Sequence, residues 1–224
     1  EIKKKKRAVA LFVIVLICLC GWWAVRKEGF FLDEIYSYGL ANSSYVPFLS
    51  WLHGGEQVAN GKLPEAVFTQ SEFLNYVAPQ GSTRFDYASV YYNQTQDIHP
   101  PLFYFLLNTV CSLFPGSFTK WTGLGMNFVL LGGTLAALYA LGMELFADWK
   151  KALFVCALCA FNREMISNVT MVRMYMLMTL LTILLALLVA KSLRRPSVPK
   201  YLLIGVTIYL GMMTQYFFVV YAFL

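Results

Sequence analysis

Residues 3–25 read Lys3-Lys4-Lys5-Lys6-Arg7 and then AVALFVIVLICLCGWWAV, a block of cations followed by a stretch with no charge. As a helix the apolar stretch is about 27 Å long, close to the roughly 30 Å hydrocarbon core of a bilayer. Cations placed directly before such a run favour a cytoplasmic N-terminus. A cleaved signal peptide opens in the same way, but it needs small residues at its cleavage site and this run carries Trp22 and Trp23 there. The run therefore reads as a signal-anchor, and the solvent for much of the chain as lipid.

The rest of the sequence repeats the pattern. Segments 100–119, 121–143, 174–190 and 201–224 carry no charge, and 152–162 is a shorter apolar run. Hydrophobic residues make up 58% of the chain and charged residues 13%, with a mean hydropathy of +0.58, too apolar for a water-soluble domain of this size. The expected fold is an all-α integral membrane protein, a polytopic helix bundle. Its parts are a first span at 8–25, a long extracytoplasmic loop at 26–99 carrying interfacial helices, and further membrane helices over 100–224. No composition break divides residues 1–224, which read as a single membrane module. Because Leu224 ends inside an apolar run, the module is expected to continue C-terminally. The net charge of +6 comes almost entirely from Lys3 to Arg7, so no nucleic-acid footprint remains. All the cysteines (Cys18, Cys20, Cys111, Cys156 and Cys159) lie in apolar runs, and the lone Cys156-x-x-Cys159 pair reads as lipid-buried cysteine rather than a metal site.

Loop 26–99 holds most of the acids, among them Asp33, Glu34, Glu72, Asp86 and Asp97, and both histidines, His53 and His99. It is also rich in aromatics such as Phe30, Phe31, Tyr36, Tyr38, Trp51, Tyr91 and Tyr92, as suits a segment lying at a membrane–water interface. The pattern predicts a helix over 33–41 and another opening at Pro64, a residue suited to a first helical turn. Beyond the loop, Lys150-Lys151 and the group Lys191, Arg194, Arg195 and Lys200 should both be cytoplasmic. That holds if one fewer crossing occurs between His99 and Lys150, for example because the Pro100-Pro101 segment is re-entrant. The 162–173 connection then lies on the same side as Asp33; two full crossings give the opposite result.

Three groups of residues can carry chemistry. Asp33-Glu34 follows the first span at a helix start, where acids also complement the helix dipole. Asp97-Ile98-His99-Pro100-Pro101 places an acid and an imidazole before a rigid proline pair. Arg173 stands at the head of an apolar run beside Tyr175, where it either snorkels or pairs with an anion.

In order and spacing, Phe31-Leu32-Asp33-Glu34-Ile35-Tyr36, Asp97-Ile98-His99-Pro100-Pro101-Leu102 and Arg173-Met174-Tyr175 resemble the C-type (GT-C) glycosyltransferase superfamily. The likeness is to the protein O-mannosyltransferase-like branch and its bacterial relatives that use polyprenyl-phosphate sugars. The resemblance implies a plasma-membrane enzyme, bacterial in setting, that moves a sugar from a polyprenyl-phosphate donor to a hydroxyl acceptor on the extracytoplasmic face, with inversion. It assigns Asp33 as catalytic base with Glu34 its matching neighbour, and puts Asp97, His99, Arg173 and Tyr175 in the substrate site. A divalent metal at Asp33, Asp97 and His99 stays open. Two positions depart from the pattern: Gly125-Met126-Asn127 where relatives carry Arg, and Gln215 where His is expected. The competing classes are a transporter, which would place ionisable groups inside its spans, and a non-catalytic scaffold.

Overall fold

The computed structural model describes residues 2–53 and 68–224, and every described regular element is helical. In chain order the helices are α1 (Ile2–Arg26), α2 (Leu32–Asn42), α3 (Gln70–Val77), α4 (Tyr87–Thr95), α5 (Leu102–Cys111), α6 (Lys120–Phe146), α7 (Trp149–Ala160), α8 (Arg163–Thr170), α9 (Tyr175–Arg194), α10 (Val198–Met212) and α11 (Phe218–Phe223). Helices α1, α6 and α9 are each long and apolar enough to cross a membrane. The pair α7 and α8, bent by 63° at a short break, adds a fourth candidate span. The helix expected at 33–41 is α2, and the one expected at Pro64 lies outside the described residues.

Two of the apolar runs do not become spans. Run 100–119 yields only α5, ten residues long, which reaches about 15 Å, half the hydrocarbon thickness. Run 201–224 is broken between α10 and α11. Gly211 explains the break: a Cβ there would lie 2.2 Å from the Phe218 ring. Only glycine lets the fully buried Phe218 fold back onto the end of α10.

The chain forms two compact units, one comprising Glu1–Gly29 with Asn127–Leu224 and the other Phe30–Met126. In the first unit, α6, α7, α8 and α9 bury Leu131, Leu135, Cys156, Ala160, Met165, Val169 and Met176 together, and Phe12, Leu16 and Cys20 of α1 pack against them. Gly142 lets α6 and α7 approach closely, since a Cβ there would sit 2.9 Å from Ala152 Cα.

Side-chain contacts fix the helix directions in this unit. Lys5, near the start of α1, stands over Tyr139 in the last third of α6, so α1 and α6 run antiparallel. Arg194, at the end of α9, meets Glu144 near the end of α6 at 3.3 Å. The buried Asn127 amide, near the other end of α6, donates to the carbonyls of Val169 (3.0 Å) and Met171 (2.8 Å), just ahead of α9. Helices α6 and α9 are therefore parallel, with α7–α8 as the return. Lys3 to Arg7, Lys150-Lys151 and Arg194 consequently gather at one end of the unit. The opposite end holds Asn127, Arg173 and the C-terminal turns of α1, where Trp23 lies with Val169 and Thr170.

Candidate functional site

The Phe30–Met126 unit is organised around α2, which packs against α3, α4 and α5. Gly39 makes the α2–α3 approach possible: a Cβ there would fall 2.0 Å from Tyr76 Cζ. The Tyr76 hydroxyl continues past α2 to donate to the Pro47 carbonyl at 3.0 Å. Helix C-termini leave carbonyls without partners, and here buried asparagines supply them. Asn93 Nδ2 donates to Leu40 O (3.2 Å) and Ser43 O (3.0 Å). Asn108 Nδ2 donates to Ala41 O (2.8 Å) and Asn42 Nδ2 to Val77 O (2.8 Å). Two of these, Asn42 and Asn93, head Asn-x-Ser/Thr sequons, but their buried amides are committed to the fold. Tyr38 closes the other face of α2. Its hydroxyl donates to Thr119 O at 3.1 Å and accepts the Gly123 amide at 3.0 Å, and its ring packs edge-on against Phe30 and Phe118.

This frame sets the two acids at the start of α2 apart. Phe31 precedes the helix and offers no side-chain acceptor, so Glu34 does the capping: its Oε2 accepts the Phe31 amide at 2.8 Å, and the carboxylate is fully buried. Asp33 is exposed, and its backbone carbonyl accepts the Ser37 hydroxyl at 2.9 Å. Neighbouring carboxylates thus have different surroundings, one holding the first helical turn and the other presented outward. Both acids also sit at the favourable end of the α2 dipole.

Between α4 and α5, Asp97 Oδ2 and His99 Nδ1 lie 2.9 Å apart, both side chains mostly buried. An ionised carboxylate only accepts, so Nδ1 carries the proton in this pair and Nε2 is left for another partner. Asp97 is close enough to α3 to act on Tyr76, whose phenol is pushed well above its ordinary value, first by burial and then by Tyr36, Asp97 and Tyr104. One turn before Asp97, the side chain of Gln94 is buried, and among the described residues neither its amide nitrogen nor its amide oxygen has a hydrogen-bond partner. Sequence reasoning missed Gln94, because a lone glutamine in a polar loop carries no pattern.

Large apolar side chains flank both motifs on the surface: Phe31 and Leu32 beside Asp33 are about two-thirds exposed, and Ile98 between Asp97 and His99 is 79% exposed.

Arg173 and Tyr175 belong to the other unit. Arg173 is buried in the turn between α8 and α9, with its backbone amide on the Met171 carbonyl at 2.9 Å, and Tyr175 opens α9 partly exposed. Asn127, one of the positions that depart from the family pattern, anchors this turn. Gln215, the other, lies in the break between α10 and α11. No group of three or more His, Cys, Asp or Glu side chains suited to a metal ion occurs among the described residues, so Asp33, Asp97 and His99 do not converge as a ligand set. Comparison with protein-family models, curated proteins and solved structures finds no match.

Proposed function

We propose that the chain belongs to a membrane glycosyltransferase that takes a sugar from a polyprenyl-phosphate donor and delivers it to a hydroxyl acceptor at the extracytoplasmic membrane surface. The observation that carries this reading is the pairing of each acid-bearing motif with exposed apolar neighbours: Phe31 and Leu32 at Asp33, Ile98 at Asp97–His99. Such side chains suit the boundary of a bilayer, where a lipid-borne phosphate must be met. The gathering of the basic segments at one end of the Glu1–Gly29 and Asn127–Leu224 unit supports assigning that end to the cytoplasm. Arg173 and the end of α1 that leads toward Asp33 then fall on the outer side.

In the proposed reaction the acceptor oxygen attacks the anomeric carbon, the bond from that carbon to the phosphate oxygen breaks, and Asp33 takes the hydroxyl proton as general base. The polyprenyl phosphate leaves with both bonding electrons and stays in the bilayer, and the anomeric centre inverts. His99 meets the phosphate. Asp97 orients His99 through Nδ1, Gln94 serves sugar hydroxyls with its amide, and Glu34 acts as a positioning residue by fixing the first turn of α2.

The deciding measurement is turnover at saturating donor, in membranes, for Asp33→Asn against wild type. Asn keeps the size and the helix-start role of Asp but cannot accept the proton, so turnover should fall by about 10²–10⁴ with folding intact. Activity within a few-fold of wild type would remove Asp33 from the mechanism and the reading with it. Glu34→Gln retains an acceptor for the Phe31 amide and should lose far less.

A further inference from the structure

A groove of about 720 Å³ runs along the Glu1–Gly29 and Asn127–Leu224 unit between α1, α6 and α7. Its walls are apolar, with Phe12, Leu16, Phe128, Leu131, Leu135 and Leu153 among the lining side chains. On α1 the lining extends from Lys5 to Gly21, roughly 24 Å of helix, more than the roughly 15 Å depth of one leaflet. Only one end of the groove is charged. Lys5 is the only charged lining residue among those described, and its Nζ stands 5.7 Å from the Tyr139 ring centroid. The Tyr139 hydroxyl beside it is buried and makes no hydrogen bond among the described residues. Lys3, Lys4, Lys6 and Arg7 are exposed, whereas Lys5 is half-buried against α6.

An apolar slot closed at one end by an ammonium and a hydroxyl still in need of an acceptor has the chemistry of an amphiphile site. We infer that the groove holds one acyl chain of an anionic phospholipid of the bilayer, with its phosphate on Lys5 and Tyr139. A buried hydroxyl ordinarily finds a partner, and a phosphate oxygen supplies one while pairing with the ammonium. Lys5 lies 21 residues, roughly 31 Å, along α1 from Arg26, at the opposite end from the one that leads to Asp33. In the proposed function the donor phosphate must meet Asp33, so a bulk phospholipid and not the donor fits the Lys5 end. The bound chain would also pack α1, whose apolar residues are largely exposed, against α6.

Native mass spectrometry of the chain from nanodiscs of equimolar phosphatidylglycerol and phosphatidylcholine tests this without any assay of catalysis. Wild type should retain a single phosphatidylglycerol in clear preference. Lys5→Gln should weaken retention about five-fold, the worth of one cation near a charged lipid surface, and adding Tyr139→Phe should weaken it further. Gly132→Leu should displace the lipid, since Gly132 lines the groove and a Cβ added there meets nothing within 4 Å. If that variant fails to fold, the Lys5→Gln arm decides alone. Replacing exposed Lys3, Lys4 and Lys6 with Gln should change retention less than Lys5→Gln does. Equal retention of the two lipids, or a larger loss from the exposed lysines than from Lys5, would overturn the site. Displacement of phosphatidylglycerol by polyprenyl phosphate in competition would transfer the groove to the donor and overturn the inference, while leaving the role of Asp33 to its own test.

Discussion

In the Phe30–Met126 unit the buried asparagine side chains reach beyond their own helices. Asn93, Asn108 and Asn42 cap carbonyls 35 to 67 residues away in sequence, and the Ser89 hydroxyl reaches Ser43 O at 2.7 Å. In the other unit several hydroxyls turn inward. The hydroxyls of Thr134, Thr179 and Thr207 each donate to the carbonyl four residues earlier in the same helix. The difference is what a lipid solvent around the long apolar helices would produce. A lipid-facing helix must satisfy its polar groups within itself, and long apolar helices need no cross-links to be stable. Short helices of eight to eleven residues are marginal alone, so α2 to α5 depend on one another and the amides set their register. Asn127 is a long-helix residue that reaches out as the short-helix asparagines do, at the turn that carries Arg173.

The two units can be followed separately through their buried thiols, Cys111 in one and Cys156 in the other. With the remaining cysteines replaced by Ala, the labelling rate of each thiol under mild denaturant reports opening of its own unit. The largest effect is expected from Gly39→Leu. The first added atom already collides with the ring of a fully buried tyrosine, so the cost should reach about 3 kcal/mol, the upper part of the overpacking range. Cys111 should label much faster and Cys156 at its usual rate. A matching rise at Cys156 would mean that the units do not open independently.

Next in size is the pair Asn93→Ala and Asn127→Ala. Each takes the asparagine donor from a buried carbonyl, Leu40 O in one case and Val169 O in the other, at about 2 kcal/mol. Asn93→Ala should speed labelling of Cys111 alone, and Asn127→Ala that of Cys156 alone. If Asn127→Ala moved neither thiol, the amide would not hold the α8–α9 turn, and its likeness to the short-helix asparagines would be one of geometry without energetic weight.

What could be read from the sequence divides along the same line. The candidate spans α1, α6 and α9 were legible because one property, apolar length, decides them. So was α2, where acids at the start of a short aromatic-rich segment mark a helix opening. Helices α3 and α4 were missed despite local signals: Thr69 and Glu72 form a reciprocal cap, and Asp86 accepts the Ser89 amide. The collapse of run 201–224 into two helices was not legible, because it depends on Phe218 seating against Gly211. The asparagine caps were not legible either, since nothing in a sequence links Asn93 to the carbonyl of Leu40. At the candidate site both acids of the Asp33-Glu34 pair could be seen, but not which of them faces outward. That is decided by the cap Glu34 makes to Phe31.

The smallest expected effect comes from pH and tests whether the short-helix unit depends on buried phenols as it does on buried amides. Tyr38 and Tyr76 are both almost fully buried. Both phenols are held well above the ordinary tyrosine range, chiefly by burial; nearby Cys111 adds to the shift at Tyr38 and Tyr36 to that at Tyr76. A group whose folded value is raised contributes stability that is fully present below its unfolded value, near pH 10, and is lost as pH rises toward the folded value. At pH 10.5 each phenol should therefore cost the unit about 0.8 kcal/mol, because only the unfolded chain gains by ionising. Ionisation would also remove the donor that Tyr38 gives to Thr119 O and Tyr76 to Pro47 O, so the folded unit has no way to relieve that cost. Tyr38→Phe and Tyr76→Phe together should lower stability at neutral pH, by the two lost hydrogen bonds, yet flatten its alkaline fall. The check is the denaturant midpoint for Cys111 exposure in wild type and the double variant at pH 8 and pH 10.5. An equal alkaline drop in both proteins would show that other groups titrate, and that the phenols of this unit contribute packing without pH-linked stability.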